Sequence, residues 1–249
     1  MSAAFDTLAS EYDRLWTRTS VGQLQREAVW RRIGHLFRPG ERALDLGCGT
    51  GEDAVRLVRA GLRVRAIDAS GEMVRIARAR GVDAQQMAIE DCALLNDRFD
   101  AVLSNFGPLN CVEDLAATRP TLSRLIRPGG YLAICVMGPF CMWEIAWELL
   151  RRGRPRVAFR RLRKGAASSL GIRVFYPSKN RLQAALAPDF SLVSWSGIGL
   201  AVPPSYVTGL PDGVLRAFDS VDRRAAHWPV LRALADHRLF VFVRSSSCR

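Results

Sequence analysis

The sequence predicts an α/β fold in which a mostly parallel sheet is covered by helices on both faces. Three observations predict it. Apolar strand-like runs alternate with segments of helical spacing along the middle of the chain. One of those strands ends in an acidic residue and runs straight into a glycine-rich turn that opens a helix. Finally, 249 residues with 49% hydrophobic and 24% charged side chains suit one compact domain enlarged by an insertion.

Taken in order, Ala3 to Trp16 has a helical rhythm with Phe5, Leu8, Tyr12 and Leu15 on one face. A second helix runs from Gly22 to Phe37 and stops at Pro39-Gly40. Arg42 to Leu46 is the first strand, and Glu52 to Ala60 the helix that Gly61 ends. Leu62 to Ile67 is the second strand, closed by Asp68, and Ser70 caps a helix through Arg80. Val82 to Ala88 and Phe99 to Ser104 are the third and fourth strands, Leu115 to Ile126 a helix, Pro128-Gly129-Gly130 a turn, and Tyr131 to Val136 the fifth strand.

From Pro139 to Pro188 the rhythm breaks into a Trp-rich helix, a run of arginines and a Tyr-Pro-Ser segment, which reads as an insertion that covers a site. Phe190 to Ile198 and Leu239 to Arg244 finish the sheet, with Leu210 to Leu234 helical between them. The expected layout is a single domain over 1–249. It has N-terminal helices at 1–40, a ligand-binding core at 41–138, the covering insertion at 139–189, and strands and a helix completing the sheet at 190–249.

The N-terminus carries Asp6 and no basic run followed by an apolar core, so no secretory signal is expected. The longest apolar stretch, Tyr131 to Trp143, falls short of the roughly 20 residues a bilayer span needs. A cytoplasmic location is expected. Six cysteines show no C-x-x-C pair or Cys/His ligand spacing, which implies reduced structural thiols and no metal site. The formal charge of +12 suits RNA, anionic lipid or an acidic substrate, although nearly all the basic residues are arginine, a bias genome composition alone produces.

The chemistry is concentrated in Ala43-Leu44-Asp45-Leu46-Gly47-Cys48-Gly49-Thr50-Gly51. Glycines permit positive φ and let a ligand lie against the backbone, and the helix N-terminus offers unpaired amides. Such a turn also suits a dinucleotide. Against that reading, the spacing is G-x-G-x-G rather than G-x-G-x-x-G, and Asp45 would repel a pyrophosphate while engaging a ligand ammonium.

Asp45 through Gly51 resembles motif I of the class I S-adenosylmethionine-dependent methyltransferases, of the small-molecule type. The resemblance covers about Leu44 to Ala133 and implies a Rossmann-like, seven-stranded, mostly parallel sheet with an insertion after the fifth strand. It implies S-adenosylmethionine as cofactor and S-adenosylhomocysteine as product, with Asp45, Gly47, Cys48, Gly49 and Gly51 around the methionine half. It also implies that Asp68 accepts hydrogen bonds from the ribose hydroxyls, with Ala69 and Met73 beside ribose and adenine, and Ile89 and Glu90 at the adenine edge. Asn105 and Phe106 fall near the methionine end, and Tyr12 resembles the tyrosine that closes over the cofactor.

On the acceptor side, Ser104-Asn105-Phe106-Gly107-Pro108 lacks the Asn/Asp-Pro-Pro-Tyr/Phe pattern of enzymes that methylate planar amino groups. Asn110, Trp143 and Tyr176 are the candidate substrate residues. His237, which with Asp236 precedes the last strand, and Tyr176 are the candidate catalytic ones. The 151–164 basic segment is a candidate for peripheral contact with a membrane surface. The expected activity is methyl transfer to an O, N or C atom of a small, lipid-like or natural-product metabolite, without DNA. The alternatives are an RNA methyltransferase and a non-catalytic cofactor-binding regulator.

Overall fold

The computed structural model describes residues 2–163, 165–167 and 171–246. Lys164 of the arginine run and Cys248 lie outside them. Two N-terminal helices, α1 (Ser2–Tyr12) and α2 (Ser20–Ile33), are joined by a wider turn over Asp13–Thr17. Thr19 caps α2 by accepting the Gly22 amide at 3.0 Å. The alternating core follows: β1 (Arg42–Leu46), α3 (Glu52–Arg59), β2 (Arg63–Asp68), α4 (Gly71–Ala79), β3 (Ala84–Gln86), β4 (Phe99–Ser104), α5 (Leu115–Leu125) and β5 (Ile126–Met137).

The insertion contains α6 (Met142–Ala146), continued by a wider helical turn to Arg151, then α7 (Pro155–Ala158) and a short hairpin of β6 (Ala166–Ala167) and β7 (Arg173–Val174). The chain ends with α8 (Lys179–Leu186), β8 (Phe190–Ile198), α9 (Asp212–Ala225) and β9 (His237–Arg244).

Seven strands form one sheet in the order β3-β2-β1-β4-β5-β9-β8, parallel except that β9 runs antiparallel to both its neighbours. Residues alternate between its two faces, as a strand's period of two requires. Leu44, Leu46, Val102, Leu132, Ile134 and Phe240 pack with Leu122 of α5 and Leu182 of α8. Ala43, Ala101, Leu103, Ala133, Cys135 and Leu239 pack instead with Val29 and Ile33 of α2 and Leu57 of α3. The expected seven-stranded, helix-covered sheet is therefore present.

Several boundaries differ from the sequence expectation, among them the fifth strand, which spans Ile126–Met137 and takes in the turn expected at Pro128-Gly129-Gly130. The third strand spans only Ala84–Gln86, because from Ile89 the chain winds into a tight helical turn. The helical stretch expected at Leu210–Leu234 is α9 followed by turns. The insertion is also shorter than 139–189: Leu182 and Leu186 of α8 are buried in the main core, where α8 packs on α5.

Candidate active site

The glycine turn sits where β1 delivers it, at the C-terminal ends of the parallel strands, the usual place for a ligand in an open α/β sheet. The amides of Gly47 and Cys48 both donate to the Ile67 carbonyl, at 2.8 and 3.0 Å, tying the turn to the end of β2. All three glycines have positive φ, at 76°, 53° and 83°. Their surroundings separate their tasks. A Cβ at Gly47 would lie 2.2 Å from Pro108 Cβ and one at Gly51 2.9 Å from Ala77 Cβ, whereas at Gly49 nothing lies within 4 Å. Gly47 and Gly51 therefore allow close packing, and Gly49 leaves open space. Gly51 does not line the cavity, and it fits α3 against α4.

That open space belongs to a cavity of about 290 Å³. Asp45, Gly47, Cys48 and Gly49 line one wall, Asp68, Ala69 and Met73 the next, and Ile89, Glu90, Asn105 and Phe106 the floor and far side. The N-terminal segment closes over it through Phe5, Tyr12 and Trp16. Two anchors hold that segment down. Asp6 accepts from Ser70 Oγ at 2.5 Å and from the Glu72 amide at 3.1 Å, and Asp13 accepts from Thr50 Oγ1 at 2.8 Å while pairing with Arg80.

The electrostatics of the cavity are those of a site prepared for a cation. Asp45 is buried, and its Oδ2 has no hydrogen-bond partner. Burial pushes its carboxyl well above the ordinary range, and the neighbouring Asp53 and Asp68 carboxylates push the same way. Asp68 accepts the Gly49 amide at 2.8 Å through Oδ2 and the Ser70 amide at 2.9 Å through Oδ1. Burial raises its pKa against those two donors. Each carboxylate oxygen has a second lone pair, so Asp68 retains acceptor capacity for a pair of hydroxyls. Asn105 donates to Asp53 Oδ2 at 2.9 Å and leaves its own Oδ1 buried without a partner. Orphaned Asp45 and Asn105 oxygens, a carboxylate with spare lone pairs and an open glycine suit a ligand carrying an ammonium, ribose hydroxyls and an apolar base.

A methyltransferase-domain family model matches residues 43–130. The demethylmenaquinone methyltransferase of Mycobacterium marinum is 33% identical over 214 residues, covering 80% of this chain and 86% of that protein. The chain belongs to the class I S-adenosylmethionine-dependent methyltransferases. Solved structures share the fold. An S-adenosylmethionine-dependent methyltransferase from Mesorhizobium loti superposes with a TM-score of 0.60 at 18% identity, over 89% of this chain and 100% of that one. Magnesium protoporphyrin IX methyltransferase from Synechocystis, crystallised with S-adenosylhomocysteine, gives 0.61 at 16% identity over 98% and 97%. The methyltransferase uses S-adenosylmethionine as its methyl donor.

Sequence reasoning missed a polar group on the α2/α3 side of the methyltransferase cavity. Arg26 of α2 pairs with Asp53 of α3, Trp30 Nε1 donates to Asp53 Oδ1 at 2.7 Å, and the Arg26 guanidinium faces the rings of Trp16 and Phe106 at 5.0 and 5.2 Å. Nothing distinguished Arg26 among so many arginines. Asp53 carried one signal, an acid in the first turn after the glycine loop, which helix-dipole preference equally explains. Phe106 carries the one positive φ of a non-glycine residue among those described, 58°, which turns the chain at the end of β4 beneath the cavity.

Besides Gly51, four expected residues lie outside the cavity lining. Asn110, fully buried, donates to the Met137 and Phe175 carbonyls at 3.0 and 2.6 Å and accepts the Met137 amide at 2.9 Å, so its amide pins β5 to the segment after β7. Trp143 donates to the Ala201 carbonyl at 3.1 Å and packs on Phe218, so it anchors α6 rather than facing substrate. Tyr176 lies under the Arg161 guanidinium at 5.3 Å, and burial raises its phenol. His237 sits behind Phe106, edge to face at 5.2 Å, with Nδ1 3.3 Å from Asp236 Oδ2. Neither Tyr176 nor His237 reaches the lining, because Arg161 and Phe106 occupy the faces they present.

Part of the arginine run is paired with carboxylates of its own segment and of Asp236. Arg161 is buried, donating to Glu144 Oε2 at 2.7 Å and Asp236 Oδ1 at 2.8 Å; Arg160 donates to Glu144 Oε1 at 2.6 Å and Arg154 to Glu148 Oε2 at 2.9 Å. Among the described residues, no helix is long and apolar enough to cross a membrane, and no group of three or more histidine, cysteine or carboxylate side chains forms a metal site.

Proposed function

We propose that the acceptor is an apolar ring compound of the quinone or lipid-like class, methylated at a carbon or oxygen that its own ring chemistry activates. One observation carries this reading. Past Gly107-Pro108 the cavity is lined by Cys111, Val112, Met137, Ile172 and Val174, and none of these five bears a charge at neutral pH. Burial pushes the Cys111 thiol up to about 11. The M. marinum relative, named for demethylmenaquinone, supports the same class.

In this reading Asp45 holds the cofactor's ammonium, Asp68 its ribose hydroxyls, and Met73 and Ile89 flank its base. Asn105, fixed through Asp53, presents Oδ1 at the methionine end. The sulfonium supplies an activated methyl and its own leaving group, so alignment and water exclusion are the protein's main tasks. Phe5, Trp16 and Phe106 exclude water. Tyr12, whose phenol burial pushes up to about 12, stays neutral and serves as a donor rather than a base. A reduced quinone ring attacks as its phenolate, its hydroxyl proton passing to solvent before the acceptor is enclosed, and the ring proton displaced by methylation at carbon leaves to solvent as the ring regains aromaticity. Arg154, Arg160 and Arg161 are spent on internal carboxylates, which supports a small acceptor over RNA.

The test is incubation of the purified protein with methyl-labelled S-adenosylmethionine and either demethylmenaquinone or a panel of phenols, amines and RNA, with products identified by mass. Label on the ring compound, and a raised acceptor KM in Met137→Asp with unchanged cofactor affinity, are the expected results. Label that appears only on RNA and vanishes after RNase treatment would overturn the proposal.

A further inference from the structure

The helix from Met142 to Arg151 is amphipathic in the reverse of the usual sense. Glu144 and Glu148 point inward and are 4% and 7% exposed. Met142, Trp147, Leu149 and Leu150 point outward, Leu150 with 84% of its surface open. A water-facing helix places its charges outside and its leucines in the core. Here the buried acids are saturated by arginines from the turns that follow, which frees the helix to turn its apolar side out. Phe159 and Leu162, on the next two turns, are 40% and 54% exposed and extend the apolar surface.

The charges around that surface have one sign. Arg151 lies over the Trp147 ring at 5.3 Å, and Arg156 and Arg163 are exposed, while Arg152 and Arg154 are exposed but pair with Glu148. Between 139 and 163, all described residues, the only acids are the two buried glutamates. A self-complementary dimer would bring this cationic face against its own copy, which like-charge repulsion opposes. An anionic membrane surface offers what both components need, headgroups for the arginines and acyl chains for the leucines and aromatics.

We propose that the segment 142–163 docks the protein on an anionic lipid bilayer, lying in the interface with Trp147, Leu150, Phe159 and Leu162 inserted and the exposed Arg151, Arg156 and Arg163 at the headgroups. The segment continues into the β6–β7 hairpin, where Ile172 and Val174 line the cavity, so docking brings the acceptor end of the site to the membrane. The docking rests on this surface alone and stands whether or not the acceptor is a quinone.

The experiment is flotation of the full chain with vesicles of phosphatidylcholine alone and of phosphatidylcholine with phosphatidylglycerol, alongside tryptophan quenching by brominated acyl chains. Binding to the anionic vesicles, weakened by salt, with quenching that Trp147→Phe removes, is expected. Leu150→Ser with Leu162→Ser, or Arg151→Gln with Arg156→Gln, should lower partitioning about tenfold. Val230→Ser, at an exposed apolar site elsewhere, should not. Unchanged thermal melting and cofactor affinity by calorimetry certify that the variants are folded. No binding to anionic vesicles at low salt, equal binding by the Leu150/Leu162 double variant, or a concentration-dependent dimer that Leu150→Ser abolishes would each overturn the proposal. Turnover on a water-soluble acceptor reports on the acceptor reading separately.

Discussion

Two regions of this methyltransferase bury carboxylates, and they do so in opposite ways. Around the glycine turn, Asp45 keeps an oxygen without a partner and Asp68 is satisfied only by two backbone amides. In the insertion, Glu144 is gripped by Arg160 and Arg161, and Glu148 by Arg154. Because a buried carboxylate left short of partners is costly, the first arrangement persists where a ligand completes it. The second is complete by itself and holds a segment that lacks an apolar core of its own.

The contrast is broken most severely by Glu144→Ala. It leaves Arg161 buried with one carboxylate instead of two and Arg160 without its partner, and should destabilise by about 3–5 kcal/mol. The loss should appear in denaturant unfolding and as faster hydrogen exchange over 139–178, while cofactor affinity, set by the other region, stays near its original value.

Next come the glycines. Gly47→Ala meets Pro108 at 2.2 Å with φ at 76°, so about 3 kcal/mol of stability should be lost. Gly49→Ala, with no neighbour within 4 Å, should cost only about 1 kcal/mol in the melt. Its effect should instead fall on cofactor affinity by calorimetry; equal melts for the two variants would refute the division of labour.

Asp68→Ala should weaken cofactor binding by about 1–3 kcal/mol through lost hydroxyl contacts. Unaltered affinity would remove Asp68 from the ribose site.

The smallest effect is a pH dependence at Asp45. Its folded pKa lies above the unfolded value of about 3.9. Across that window the folded protein keeps a proton the unfolded chain has released, so Asp45's contribution makes the free enzyme less stable as pH rises. Cofactor affinity should move the other way, strengthening as the carboxylate ionises opposite an ammonium. Asp45→Asn should flatten both slopes, in melts and in titration calorimetry.

Much of the first region was legible because its information is local. A strand, a terminal acid and closely spaced glycines are neighbours in sequence as well as in space, and Asp68 follows at the next strand end. Local spacing did not separate Gly51 from Gly49, since only the approach of α4 shows which glycine packs and which stays open. Arg26, Asp53 and Asn105 meet from α2, α3 and the end of β4, a convergence no spacing encodes. Of the remaining candidates, the sequence draws Trp143 and Tyr176 from the insertion and His237 from its place before the last strand. Partners distant in the chain engage Asn110 and Trp143 and place Tyr176 and His237 behind Arg161 and Phe106.

By itself the sequence determined the sheet of alternating units, the glycine turn with its two strand-end acids and, through them, the class of cofactor, because short-range stereochemistry dictates all of these. Only the tertiary structure decided which buried charges are satisfied and which wait for a ligand, and which face of the insertion meets water. Burial and hydrogen-bond saturation are properties of what the rest of the chain brings alongside.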